Sequence, residues 1–551
     1  MQRDASNVQA IGVGAAMGAV FAASAMYVGQ KTGIIDGGNI PAALLAFGIL
    51  SALVRRRASR DAGNLVQTTS SSAAMMSITG GLIGPVAAMS LDGSTPSLPL
   101  VVVWGIALGT VGVLLAVPLR AAFIKQDGLP FPSGSATAHV LEDVYRGARS
   151  ASSRVRMLAI AGVLAFVFAF VRSHLTWIPE MYVFPVVLGG VAADAIALGV
   201  AWSPLLLGIG YFSGARAAVS LVAGAAIAWL VIAPQLVSAT IAQPDYFSLL
   251  GWLLFAGTGL MVGGSVVSLV ATVRDLRTGI RTISQAGGFR MTRAHMIALV
   301  LGAVVVVVLG TLTFDVNPLI PLLSLILSAL LVTAAAHAMG ETDNTPAGPL
   351  GGFAQLVIGA AAPGSSAAPL SGGGVVNGTL MHASMMLQNW KTGLRVGTSP
   401  STQLVAQLVG VVVGAIVCAA VFLLLQAAYG LGTEAMPAPA AQSWRATAAV
   451  AQNGLSSMPA WAPLGAAAGF VAGIVFSLRP IARFAPSPVA MGLAFILPPY
   501  LSLTIAVGGF LSWIVARRSR QFADEQGFAI ASGLIGGEAI AGLVIAVLLL
   551  R

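Results

Sequence analysis

Acidic side chains are scarce in this chain, 18 among 551 residues, and four of them interrupt apolar sequence. Glu341 and Asp343 stand in "GETDNTPAGPLGG" (340–352), between an apolar run ending at Ala338 and another resuming at Phe353. Asp194 lies in "VAADAIALG" and Glu538 in "LIGGEAIAGL", each flanked by apolar residues that argue against a loop. A carboxylate at membrane depth is costly, and desolvation raises its pKa toward neutrality, which suits a proton carrier. Glu341 is the leading candidate, with Asp343, Glu538 and Asp194 beside it. Lys391 or Arg395 would pair with Glu341 or with a substrate carboxylate, and Lys31 is a third such cation. Glu142 and Asp143 are weaker candidates, because Arg146 and Arg149 follow at once as in a loop.

Amide side chains form a second constellation. Asn377, Met381, Ser384 and Gln388 recur at i, i+4, i+7 and i+11, which is one face of a helix. Gln403, Gln407, Gly410 and Gly414 repeat the stripe with small residues, and Asn64, Gln67 and Ser71 follow i, i+3, i+7. Such residues can simply hydrogen-bond between helices, at about 0.6–2 kcal/mol each. As a set they predict a neutral polar lining for a zwitterionic or amide-bearing solute, bound by Asn64, Gln67, Ser71, Asn377, Ser384, Gln388, Gln403 and Gln407.

Other chemistries lack their motifs. The five histidines include no pair at ligand spacing, so no metal site is expected. The single Cys418 allows no intrachain disulfide. No GxxxxGK[ST], HExxH or GxSxG occurs. "GQKTG" and "NWKTG" lack the aspartate of a phosphorylated ion-pump motif, having Gln30 and Trp390 instead. The expectation is a protein that is no enzyme and uses no cofactor; any transport must draw on an ion gradient or run downhill. A channel would need a charged ring that scattered acids do not supply.

The elements that must position these residues are membrane helices. Hydrophobic residues make up 57% of the chain and charged residues 8%, with mean hydropathy +0.91. Soluble domains are nearer 25% charged, and runs of about 20 apolar residues cross a bilayer. Such runs fall near 11–30, 38–54, 66–90, 98–119, 157–171, 181–200, 217–233, 248–273, 296–313, 319–338, 403–429, 461–478 and 528–550. Four interrupted stretches, 129–145, 203–214, 350–388 and 488–516, bring the range to roughly thirteen to eighteen crossings. The fold class is an all-α polytopic membrane protein, since lipid cannot satisfy free backbone groups.

The formal charge of +10 does not imply nucleic acid. Basic residues gather between apolar runs, at Arg55–Arg57 and Arg60, Arg146–Arg156, Arg274–Arg293 and Arg517–Arg520, as in cytoplasmic loops. The N-terminus lacks the pattern of a cleaved signal, so the first segment reads as a retained helix. The expected setting is the cell membrane, a bacterial inner membrane, with a small-molecule substrate and the lipid bilayer as partners, and homo-oligomers as an option.

The chain also repeats itself. Residues 12–37 and 372–397 match at ten of 26 positions without a gap, including Lys31/Lys391, Thr32/Thr392 and Gly33/Gly393. Transporter folds are commonly built from such repeats, which gives halves at 1–338 and 339–551. Loop charges put Lys31 and Lys391 on opposite sides, against a repeat of one orientation; the repeat outweighs them, because broken segments make crossing counts unreliable. "GGFAQLVIGAAAPGSSAAPLSGGG" and "LPFPSGSATAHVL" predict broken or re-entrant helices, tolerated only beside protein or a watery cavity.

Seven stretches resemble the oligopeptide transporter (OPT) superfamily, which includes the yellow-stripe-like metal-chelate transporters. They are "GNLVQTTSSSAA" (63–74), "LPFPSGSATAHVL" (129–141), "YFSGARAAVSLVAGAAIAW" (211–229), "GETDNTPAGPLGGFAQLVIGAAAPG" (340–364), "HASMMLQNWKTGLRVGTSPSTQLVAQLVG" (382–410), "LPPYLSLTIAVGGFLSW" (497–513) and "ASGLIGGEAIAG" (531–542). They cover most of the chain in family order. Family members have "GETNP"-like sequence at 340–344, so Asp343 is a departure. The missing "NPG" and "KIPPR" lean toward the prokaryotic or yellow-stripe-like side. The resemblance implies about sixteen transmembrane helices in two repeated halves. It also implies proton-coupled symport of small peptides, with metal chelates as the alternative cargo.

Overall fold

A computed structural model describes residues 2–34, 59–126, 128–145, 149–285, 291–343, 345, 347–454 and 458–551. The apolar run 38–54 and the basic residues Arg55–Arg57, Arg146 and Arg290 lie outside the described residues. The chain is all-α apart from two short hairpins. Among the described residues, ten helices are long and apolar enough to cross a membrane. About sixteen were expected; ten is the number that meets the length and apolarity criterion among the described residues, which exclude the run 38–54. Arg60–Thr79 and Ala367–Val396 are long but too polar to meet that criterion, and other apolar stretches are broken into short helices.

The chain forms two compact units, and each draws segments from both sides of residue 338. The first comprises Met1–Met26, Ile35–Val155 and Leu269–Leu423. Its helix Ala367–Val396 packs against Arg60–Thr79, Leu98–Ala116, Pro132–Tyr145, Leu319–Thr342 and Ala347–Ala361. Nearly every side chain of Ala367–Val396 and Arg60–Thr79 is buried. The apolar Arg293–Phe314 instead leaves Val300, Leu301, Val304 and Val308 exposed. Polar helices inside and apolar helices outside is the arrangement a lipid solvent demands.

Local chemistry sets the ends of Arg60–Thr79. The Ser59 hydroxyl caps its start, accepting from the Ala62 N–H at 3.2 Å. Gly81, at φ +67°, ends it, and Pro85–Leu91 follows as a separate short helix. The run 66–90, expected as one span, is therefore a broken helix. Close packing depends on glycine: a Cβ on Gly410 would strike the Thr69 carbonyl and Ser72, and one on Gly414 would strike the Ala73 carbonyl. Gly410→Ala is expected to destabilise the fold by about 1–3 kcal/mol through overpacking. Gly12→Ala, where a Cβ meets nothing within 4 Å, is the neutral control, and thermal melting in detergent compares them.

The second unit comprises Tyr27–Ile34, Arg156–Ser268 and Leu424–Arg551. Its helix Pro204–Ala225 is interrupted at Gly214, φ +74°. Pro488–Ile496 and Pro499–Arg518 are split by extended backbone at Leu497 and Pro498. Both breaks agree with the expected interrupted helices. The run 181–200 is a correction: it is no membrane span. Met181–Val183 pairs antiparallel with Gly199–Ala201, and Val187–Leu188 pairs with Val191–Ala192 around Gly189 and Gly190. These two glycines have positive φ, 54° and 85°, the geometry that closes a two-residue hairpin.

Candidate functional site

The first candidate site is a buried amide network inside the first unit. Asn389 is its hub. The Gln67 amide donates to Asn389 Oδ1 at 3.0 Å, and Asn389 Nδ2 donates to Gln407 Oε1 at 2.8 Å. Gln403 Nε2 donates to the Asn389 carbonyl at 2.7 Å. Ser71 Oγ lies 3.3 Å from Gln67 Nε2, which donates to it. Asn64 Nδ2 donates to Thr398 Oγ1 at 3.0 Å, and Ser72 Oγ to the Gln407 carbonyl at 2.8 Å. Further along the same helices, Thr79 Oγ1 and His382 Nδ1 lie 2.6 Å apart.

Asn64, Gln67, Ser71, Gln403 and Gln407 are thus brought together as their stripes predict. Asn377, Ser384 and Gln388 are buried on the neighbouring stripe of Ala367–Val396. Several buried atoms are left over: Asn64 Oδ1, Ser384 Oγ, Gln403 Oε1 and Gln407 Nε2 have no hydrogen-bond partner among the described residues. Such orphans are rare in folded proteins and call for a reason. Asn389 was missed, whereas His382, like His139, stands in a polar, Gly-rich segment expected to be able to line a path; neither His382 nor Asn389 falls on the predicted stripe. They lie on a second stripe, Gly378, His382, Asn389 and Thr392, turned by one residue from the predicted one. Counting both stripes would have found Asn389.

The opening acids separate. Asp343 ends the helix Leu319–Thr342 in a left-handed conformation, φ 64°. Its carboxylate accepts from the Ser133 N–H at 2.9 Å, from the Ser133 hydroxyl, and from Gln388 Nε2 at 3.1 Å. Gln388 thereby serves Asp343 rather than the amide hub. Glu341 is 52% exposed, and its Oε1 lies 3.9 Å from His337 Nε2. Of the two roles expected for Lys391 and Arg395, a pairing with Glu341 is not seen among the described residues. Arg395 Nη1 instead lies 2.9 Å from His139 Nε2, and Lys391 is buried without an ion-pair partner among the described residues. Helix geometry explains this: Glu341 points from a helix end to solvent, while Lys391 sits within a buried helix.

The second candidate site is a 390 Å³ cavity inside the second unit. Glu538, at 1% exposure on the helix Phe528–Leu549, is the one acid in the buried class among the described residues. It accepts from Arg172 Nη2 at 3.0 Å, the Ser203 hydroxyl at 2.9 Å and the Leu205 N–H at 2.8 Å. Arg172 also holds Glu180 at 3.0 Å, and Glu180 is 57% exposed. A single guanidinium therefore joins a buried acid to an accessible one. Tyr27, Lys31, Tyr429, Glu434 and Tyr500 complete the wall. Asp194 is the correction here: it lies in an exposed turn between the hairpin strands, where it accepts from the Ala195 N–H at 3.0 Å. Arg172 and Glu180 were missed. The signal was a lone arginine closing the apolar run 157–171, with an acid eight residues on.

Comparison with known proteins covers nearly the whole chain. The family model described as "OPT oligopeptide transporter protein" matches residues 5–549. "Probable metal-nicotianamine transporter YSL10" of Oryza sativa subsp. japonica is 25% identical, over 97% of this chain and 89% of that relative. "Putative oligopeptide transporter" of Haemophilus influenzae is 25% identical, over 95% of this chain and 92% of its own length. "Probable metal-nicotianamine transporter YSL8" of Arabidopsis thaliana is also 25% identical, over 97% and 85%.

Proposed function

Since the chain belongs to the OPT oligopeptide transporter family, we propose that this multi-pass membrane protein carries a small zwitterionic solute together with protons. Its family and relatives are transporters, not enzymes. The relatives' names speak of oligopeptides and of metal–nicotianamine complexes. A small peptide is the cargo proposed here, and a metal chelate is the second reading.

One observation carries the coupling proposal. Arg172 bridges Glu538, 1% exposed, and Glu180, 57% exposed. A proton reaching Glu180 from the cavity removes one of the two charges that hold the guanidinium. Arg172 is then free to take a solute anion, while Glu538 keeps it in place. Proton and solute binding favour each other in such an arrangement, which is the requirement of symport. The orphan atoms Asn64 Oδ1, Ser384 Oγ and Gln407 Nε2 support the amide network as a polar wall of the solute's path. Asp343 and Glu341 stay in the proposal as secondary proton sites, and the full complement of about sixteen crossings in two repeated halves belongs to the same reading.

Uptake into proteoliposomes under an imposed pH gradient tests this. Wild type is expected to accumulate a peptide with the gradient and to lose accumulation with a protonophore. Glu180→Gln, which removes the proposed proton acceptor beside Arg172, is expected to abolish gradient-driven accumulation, and Glu341→Ala to retain it. The reverse pattern would transfer the coupling role to Glu341. Uptake indifferent to gradient and protonophore in wild type would sink symport altogether.

A further inference from the structure

The chain has only three lysines, Lys31, Lys125 and Lys391, against a background of arginine. Two of the three occupy matching positions in the internal repeat, 12–37 against 372–397. Arginine fills the basic loops, so lysine at these two sites is a chemical choice. Lysine offers a compact point charge with three donors, where arginine offers a planar fork.

Lys31 lines the 390 Å³ cavity of the second unit. Its ammonium donates weakly to Tyr27 Oη at 3.4 Å and lies 5.6 Å from that ring's centroid. Among the described residues it forms no ion pair. The other cation in the wall, Arg172, is fully engaged by Glu538, Glu180, the Trp202 carbonyl and Ser173. The wall's uncommitted positive charge is therefore Lys31. The tyrosine protons nearby are also spoken for: Tyr429 Oη donates to the Gly542 carbonyl at 2.8 Å, and Tyr500 Oη to the Glu434 carbonyl at 3.3 Å. Their oxygens remain able to accept. Glu180 and Glu434, both exposed, supply negative charge to the same wall.

We infer that this cavity is a recognition site for a zwitterion, with Lys31 binding the solute's carboxylate and Glu434 facing its ammonium group. The inference rests on the transport reading above and names the chemical class of its cargo. A mixed-charge wall discriminates in both directions: a solute without the carboxylate leaves Lys31 unpaired, and one without the amine leaves an acid unpaired. Loss of a charge-assisted contact of this kind weakens binding by tenfold or more.

The test uses the native full chain in detergent, treated with an amine-acetylating reagent and read by mass spectrometry at Lys31, with an added free peptide amine as the reference for reagent activity. The probes are L-alanyl-L-alanine, its C-terminal amide, glutathione and inorganic phosphate. The two carboxylate-bearing zwitterions are expected to slow Lys31 acetylation at least tenfold, and the amide and phosphate to leave it unchanged. Equal protection by phosphate would reduce the site to a general anion site and overturn the zwitterion assignment. No protection by any probe, or no acetylation of Lys31 in the free protein, would overturn the site itself. Proteoliposomes carrying wild type, Lys31→Gln and Lys31→Arg separate this from the transport reading. Lys31→Gln should erase the preference for dialanine over its amide, and Lys31→Arg should keep part of it. Protection without accumulation in wild type would leave the site standing and remove coupled transport. Accumulation with the acid preference intact in Lys31→Gln would do the opposite.

Discussion

Arg172→Met is expected to lower the stability of the folded chain by about 3–5 kcal/mol, the usual result of stranding one partner of a buried ion pair. Glu538 would keep the Ser203 hydroxyl and the Leu205 N–H but lose the cation it pairs with. Adding Glu538→Gln removes the stranded charge, and the double variant should recover much of the loss. Thermal melting in detergent of the two single variants and the double variant measures the coupling. A double variant no better than Arg172→Met would mean that packing of the arginine stem, not its charge, carries the effect. The same set in proteoliposomes separates stability from transport, since the recovered double variant should still fail to accumulate solute against a gradient.

Asn389→Leu should be the most damaging single change in the first unit. It removes the acceptor of Gln67 Nε2 and the donor to Gln407 Oε1, and both partners are fully buried. Gln67 Nε2 keeps its bond to Ser71 Oγ at 3.3 Å, but Gln407 Oε1 loses its donor, and a buried group left unsatisfied costs about 1–3 kcal/mol. Asn389→Asp separates the two bonds. It keeps the acceptor for Gln67 but loses the donor to Gln407, and should cost less than the leucine unless the new charge itself is intolerable. Yield and melting temperature in detergent rank the variants. Asn389→Leu melting like wild type would show that the network relaxes to satisfy itself and is not a fixed element.

The helical membrane architecture was legible because apolar runs of spanning length leave few alternatives. The amide stripes at 64–71 and 403–414 were legible because a polar face on an otherwise hidden helix has to meet another polar face. The hub itself was not, since Asn389 sits one residue away from Gln388 and a stripe chosen through one excludes the other. The hairpins at 181–201 were misread for a different reason. An apolar run near 20 residues looks like a span whether its neighbours are lipid or protein. Yet "VLGGVA" carries the two-glycine signal between β-branched residues that marks a hairpin. Asp194 followed that error, as a residue in a supposed helix that is a turn. The pairing of Arg172 with Glu538 could not be read at all: the two lie 366 residues apart, and only the fold brings them together.

The buried polar helices also bear on how the protein is made. Arg60–Thr79 is too polar to rest in lipid alone, and its hydrogen-bonding partners lie on helices synthesised much later. Gln67 waits 322 residues for Asn389. At ribosomal rates of about 5–20 residues per second, that delay is about 16–64 s. During this interval the segment must be sheltered by the insertion machinery, by a chaperone or by water at the membrane face. The buried polar network that holds the finished unit together therefore leaves this early helix exposed to misinsertion and proteolysis during synthesis.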